Sequence, residues 1–89
     1  MYAIAIHTIS DPDKFWAAAQ EIQVPADLTL HTVVASQDGK KGVCTWEGQS
    51  LDSIREFLDP VTEGMATNEY FEANEKYSMG LPAHAGAAS

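Results

Sequence analysis

The chain predicts an α+β domain: a four-stranded antiparallel sheet with two helices on one face, in the order β-α-β-β-α-β. Three observations predict it. The stretch Leu28 to Glu47, L-T-L-H-T-V-V-A-S-Q-D-G-K-K-G-V-C-T-W-E, holds two runs rich in β-branched residues around Asp38-Gly39, a strong short-range hairpin signal. A stretch with apolar residues at helical spacing lies on each side of that hairpin. Strand-like alternation opens the chain at Tyr2 to Ile9 and returns at Thr67 to Ala73.

In Tyr2 to Ile9, one face carries Tyr2, Ile4 and Ile6, and the other Ala3, Ala5, His7 and Ile9. Ser10-Asp11-Pro12-Asp13 starts a helix. Ser10 or Asp11 can cap it, Pro12 suits the first helical position, and the carboxylates favour the positive helix end. Phe15, Ala18, Ala19 and Ile22 form its apolar stripe, with Trp16 beside it, and the helix is expected to run to about Ile22. A loop containing Pro25 leads to the hairpin strands, Leu28 to Ser36 and Lys41 to Glu47. Pairing them about Asp38-Gly39 sets Val33 opposite Cys44 and His31 opposite Trp46. A bulge, for instance at Gly42, would exchange the faces of one strand. Ser50 caps a second helix with the stripe Leu51, Ile54, Phe57, Leu58 and Val61. Pro60 is expected to end that helix near Asp59, kink it or begin a short second turn. The last strand has Asn68, Tyr70 and Glu72 on one face and Glu69, Phe71 and Ala73 on the other.

These 89 residues make one domain, expected at 1–78, followed by a flexible or loosely draped Pro/Gly-rich tail at 79–89. Thirteen acidic and five basic residues leave a net charge of -8, which repels phosphate backbones and anionic membranes. Neither nucleic acid nor membrane is therefore an expected partner. The single cysteine, Cys44, allows no intrachain disulfide, and no apolar run approaches the roughly 20 residues that span a bilayer. A reducing compartment, the cytoplasm, is the expected location.

Two helices on one side of a four-stranded sheet leave the other side bare. The set Ala3, Ala5, His7, His31, Val33, Cys44 and Trp46 is expected on that helix-free face, and Ile4, Ile6, Val34 and Val43 against the helices. Neither set alternates with strongly polar residues as a wetted face does. An apolar face left open is a patch that monomers rarely tolerate, so a second copy is expected to cover it with two-fold symmetry.

The segments L-H-T-V-V (Leu30 to Val34), V-C-T-W-E (Val43 to Glu47) and N-E-Y-F-E (Asn68 to Glu72) resemble the dimeric α/β-barrel superfamily, built on the ferredoxin-like β-α-β-β-α-β sandwich. More narrowly, the chain is similar to short ferredoxin-like proteins, some of which bind nickel. The resemblance implies a homodimer closed as an α/β barrel. Proteins of this fold include cofactor-independent monooxygenases, isomerases, haem-degrading enzymes and members without known activity, and fold alone does not choose among them.

On the expected helix-free face, His7, His31, Cys44, Trp46, Tyr70 and Glu72 line one pocket, an apolar cavity with a few convergent polar groups. The expected function is a small homodimer binding a small ligand there; the alternatives are a cofactor-independent monooxygenase or isomerase, and a divalent-metal binder. For a metal, His7, His31 and Glu72 supply imidazoles and a carboxylate, Cys44 adds a thiolate, and the resemblance puts nickel first. No H-E-x-x-H or nucleophile-base motif is legible, so no catalytic residue is assigned. Each residue also has a structural reading: the histidines as hydrogen-bonded core or interface groups, Cys44 as a small packing residue, Trp46 and Tyr70 as interface anchors. Glu63, Glu69, Glu72 and Glu75 read as a solvated acidic face, Lys40 and Lys41 as turn residues, and His84 as solvated in the tail.

Overall fold

Six elements follow one another: β1 (Tyr2–Ile9), α1 (Pro12–Gln20), β2 (Thr29–Ala35), β3 (Lys41–Glu47), α2 (Leu51–Thr62) and β4 (Ala66–Glu72). They come from a computed structural model that describes residues 1–85; the last part of the expected tail, 86–89, lies outside the described residues. The strands form one antiparallel sheet in the order β2-β3-β1-β4. β1 and β2 therefore run parallel with β3 between them, and β3 and β4 run parallel with β1 between them. Each parallel pair is joined through a helix. This is a small α+β fold, compatible with the ferredoxin-like plan.

The helix starts follow local chemistry. Asp11 caps α1, its carboxylate accepting from the Lys14 amide at 3.2 Å, and Ser50 caps α2, its hydroxyl accepting from the Ser53 amide at 3.1 Å. α1 stops at Gln20, short of Ile22, where the Glu21 amide turns back to the Ala18 carbonyl. α2 continues through Pro60 to Thr62. With Pro60 so near the end, its missing N–H removes only a bond of the final turn. In the hairpin, Gly39 takes the positive φ (+74°) that the turn requires, and Asp38 accepts from the Lys40 amide at 3.0 Å.

The two sheet faces are exchanged relative to the expectation. Ala3, Ala5, Cys44 and Trp46 are buried under the helices, in one cluster with Leu28, Ile54 and Leu58. His7, on the same face, is 1% exposed. Ile4, Ile6, Val34 and Val43 lie on the helix-free face instead. The reason is volume. Methyl side chains at positions 3 and 5 leave space for Trp46 beside them on the sheet and for Ile54 and Leu58 of α2 above them. The helix-free face is mixed rather than uniformly apolar: Ile4, Ile6, Val34, Val43 and Phe71 share it with Thr8, Thr32, Lys41, Thr45, Glu47 and Glu69, and Val34 is 61% exposed and Phe71 50%.

Register in the hairpin departs from expectation at one residue. Val33 does face Cys44, but Leu30, not His31, pairs with Trp46, because the ladder shifts between Leu30 and Thr32. The irregularity falls at His31 rather than at Gly42. It puts His31 on the helix-free face beside Tyr2, ring centroids 5.7 Å apart.

The tail crosses the Tyr2 end of that face. Tyr2 donates its hydroxyl hydrogen to the Pro82 carbonyl, His84 stacks on the Tyr2 ring at 4.5 Å, and the Ala85 amide donates to Glu47 at 2.8 Å. His84 is thus held between Glu47 (2.7 Å) and Glu75 (2.9 Å) rather than being surrounded by water alone.

Candidate functional site

A cavity of about 310 Å³ lies between the two helices and the sheet, on the side opposite to the one expected. Its floor is His7 of β1, Cys44 of β3, and Leu30 and Val33 of β2. α1 contributes Phe15 and Trp16, and α2 contributes Phe57, Leu58, Val61 and Thr62. The space exists because α1 stands off the sheet: Phe15 is its one buried side chain. Val33 and Val61 remain 46% and 41% exposed, which opens the cavity to solvent on the β2 side.

Sequence-local features hold the wall in place. Phe15 packs on His7 with ring centroids 5.1 Å apart, and Trp16 meets Phe15 edge-on at 4.8 Å. Trp16 lies over Gly42, where an added Cβ would come within 3.1 Å of its ring, and donates its indole N–H to the Gly39 carbonyl at 2.8 Å. The turn glycine and the strand glycine thus seat one aromatic ring across the hairpin.

Apart from Glu21 and Gln23, which are exposed to solvent, the polar content of the wall is small. His7 Nδ1 lies 2.6 Å from Asn68 Oδ1; Nε2 makes no hydrogen bond among the described residues and is not fully enclosed by protein. Burial holds the His7 imidazolium pKa below its ordinary value, a shift only partly opposed by the bond to Asn68, so the ring is neutral at neutral pH. Asn68 Nδ2 in turn donates to Asp59 Oδ1 at 3.1 Å and to Thr62 Oγ1 at 2.7 Å. Asp59 also accepts from the Tyr70 hydroxyl at 2.5 Å; these bonds, from Tyr70 first and Asn68 second, depress its carboxyl pKa. The Cys44 thiol is pushed up to about 11 by burial, which leaves it protonated and without nucleophilic character.

Of the six residues expected in one pocket, His7 and Cys44 line this cavity. Trp46 shares their face but is packed in the core against Phe57, its indole nitrogen buried without a partner among the described residues. Tyr70 also shares that face but is tied to Asp59, with the Arg55 guanidinium 5.3 Å above its ring. Glu72 is exposed at the end of β4, opposite Ala3. His31, on the far face, donates to Glu47 at 2.8 Å.

The expected metal set fails on geometry. His7 and His31 lie on opposite faces of the sheet, and no group of three His, Cys, Asp or Glu side chains among the described residues is placed to hold an ion. Among the described residues of one chain, nickel therefore has no fitting donor set. Asn68, Asp59 and Thr62 are the functional candidates that the sequence reading passed over. The available signal was an asparagine inside a strand, where that residue is disfavoured, at the same parity as Tyr70 and Glu72.

Comparison of the chain with family models, with curated proteins and with solved structures finds no match. The functional reading rests on the chain's own geometry.

Proposed function

We propose that this protein is a ferredoxin-like ligand-binding homodimer, taking a small, largely apolar molecule between its helices and its sheet. The observation that carries the reading is the cavity: about 310 Å³, walled by Phe15, Trp16, Leu30, Phe57 and Leu58, with one buried imidazole in its floor. Ligand sites are commonly apolar clefts of roughly 300–1,000 Å³ with a few placed polar groups. An engineered apolar cavity of about 150 Å³ holds benzene, so twice that volume suits a bicyclic aromatic.

The strand order, taken from the other edge as β4-β1-β3-β2, supports the ferredoxin-like assignment. The apolar patch of Ile6, Val34, Val43 and Phe71 within the helix-free face supports pairing with a second copy, since an uncovered patch of this character is a liability in a monomer. The dimeric α/β-barrel superfamily that the sequence resembles pairs in this way.

A thermal-shift screen with small aromatic alcohols, amines and hydrocarbons tests the reading. A ligand at 100 times its Kd adds about 2.7 kcal/mol to folding stability. A rise in Tm with at least one probe, lost when Leu58 is replaced by a charged residue in a variant that still folds, is the expected result. A panel that leaves Tm unmoved removes the reading. A second reading, a cofactor-independent isomerase or monooxygenase, is favoured by one feature: the Asp59-Asn68-His7 chain orients an imidazole as a base does.

A further inference from the structure

We infer that Asn68 fixes the tautomer of His7 so that Nε2 turns a bare lone pair to the cavity, and that the molecule bound there is a neutral hydrogen-bond donor of the phenol class. This deepens the proposed ligand-binding role of the cavity and rests on it.

The orientation of the Asn68 amide follows from its partners. A carboxylate oxygen only accepts, so the Asn68 atom 3.1 Å from Asp59 Oδ1 is the amide nitrogen. Thr62 Oγ1 donates to the Leu58 carbonyl at 2.9 Å, which leaves its lone pairs to accept from the same nitrogen at 2.7 Å. The amide oxygen therefore faces His7 and can only accept. The hydrogen between Asn68 Oδ1 and His7 Nδ1, 2.6 Å apart, belongs to the imidazole. A neutral imidazole with its proton on Nδ1 has none on Nε2.

The ring is neutral for a structural reason. It is 1% exposed, and the side chains about it are uncharged: Phe15 and Trp16 from α1, Asn68 from β4 and Thr62 from α2, with Gly42 beneath. The nearest carboxylate in the network, Asp59, is reached only through Asn68.

Nε2 is not fully enclosed by protein, and an incoming O–H or N–H gives its lone pair a donor within a largely apolar wall. Of the other polar groups of the wall, Thr62 is bonded twice over, Cys44 holds its proton, and Glu21 and Gln23 are exposed to solvent. Lysine and arginine are absent from the lining, so an anion would have no counter-charge. His7, the buried acceptor among the aromatic rings of Phe15, Trp16 and Phe57, selects a flat molecule with a single donor at its edge, while the acceptors of Glu21 and Gln23 stay in solvent. That is a phenol, with an aryl N–H as its near relation.

The test uses the intact protein labelled with ¹⁵N. Long-range ¹H–¹⁵N correlations at pH 7.5 are expected to show His7 with a protonated Nδ1 and a pyridine-like Nε2. Titration with 2-naphthol and with 2-methoxynaphthalene, which lacks the hydroxyl hydrogen, is expected to show the phenol binding about tenfold tighter. The Nε2 resonance should shift upfield with the phenol only. In Asn68→Leu the fixed tautomer should be lost and the preference should shrink toward twofold, while binding of the ether persists. A His7 spectrum with Nε2 protonated, or equal affinity for the two probes, overturns the inference and leaves the cavity as a site for apolar molecules. If neither probe binds, the phenol class falls together with the proposed function, and the spectrum separately decides the tautomer.

Discussion

Trp16 donates its indole N–H to the carbonyl of Gly39 across 2.8 Å, tying the first helix to the tip of the hairpin. The indole lies over Gly42 of β3 so closely that an added Cβ there would stand 3.1 Å from its ring and would push it outward. α1 otherwise has Phe15 alone to bury, so this one contact sets where the cavity wall stands.

Gly42→Val is therefore expected to lift Trp16 from the hairpin. The loss should be about 1–3 kcal/mol, the usual range for overpacking. Urea unfolding measures it, and a red shift in tryptophan emission should accompany it in the native state. Unchanged stability and emission would show that α1 is seated by other contacts.

Ile54→Ala tests the exchanged faces. Ile54 is fully buried against Ala3, Ala5 and Trp46. The expected loss is about 2–5 kcal/mol. A domain of 89 residues has about 4–13 kcal/mol in all, so the variant should be near its threshold at 37 °C. Val34→Ala on the helix-free face should lose far less in the separated chain.

Pairing through that face predicts dimers at micromolar concentration by sedimentation. Phe71→Glu, which places a carboxylate on the exposed patch, should yield monomers while thermal unfolding remains cooperative. Wild-type protein that sediments as a single chain would remove the homodimer.

The tail contact at Glu47 should depend on pH in a window set by two opposite shifts. The hydrogen bond from His31, first, and those from the Ala85 amide and His84 hold the Glu47 carboxyl at about 2, below its ordinary 4.5. That stabilisation is present above pH 4.5 and is lost as pH falls toward 2. Its bonds to Glu47 and Glu75 raise the His84 pKa above the ordinary 6.5, so its contribution is present below pH 6.5 and is lost as pH rises through the raised value. Protection of the Ala85 amide against hydrogen exchange should peak between the two and decline on either side. In His84→Gln the alkaline decline should vanish.

His7 predicts the reverse slope. With its pKa lowered by burial, the unfolded chain takes up a proton before the native one does as pH drops below 6.5. The His7 contribution is therefore present above pH 6.5 and lost below it. The difference in stability between wild type and His7→Gln, followed from pH 7.5 to 5.5, isolates this group from the histidine of the tail.

The elements themselves were legible in the sequence, because each depends on neighbours in the chain. Asp38-Gly39 made the turn, Asp11 and Ser50 capped the helices, and the 2.0 and 3.6 periodicities marked strands and helices within a few residues. That one face would be left without helices was legible too, as a matter of arithmetic: two helices cover one side of four strands. Which side they cover was not. Ala3, Ala5 and His7 alternate with Ile4 and Ile6, and both sets are apolar enough for a core, so periodicity assigns them to opposite faces without ranking the faces. Packing decided it, since Ile54 and Leu58 of α2 join Ala3, Ala5 and Trp46 of the sheet in one buried cluster. His31 went to the far face through one irregularity in the ladder, which breaks the expected metal set. The Asp59-Asn68-His7 network joins residues up to 61 apart in the chain, and only the folded sheet brings them within hydrogen-bond distance. The sequence alone determined the elements and their order; the tertiary structure decided the faces, the cavity and the state of His7, because those depend on how volumes and hydrogen bonds from distant segments are satisfied together.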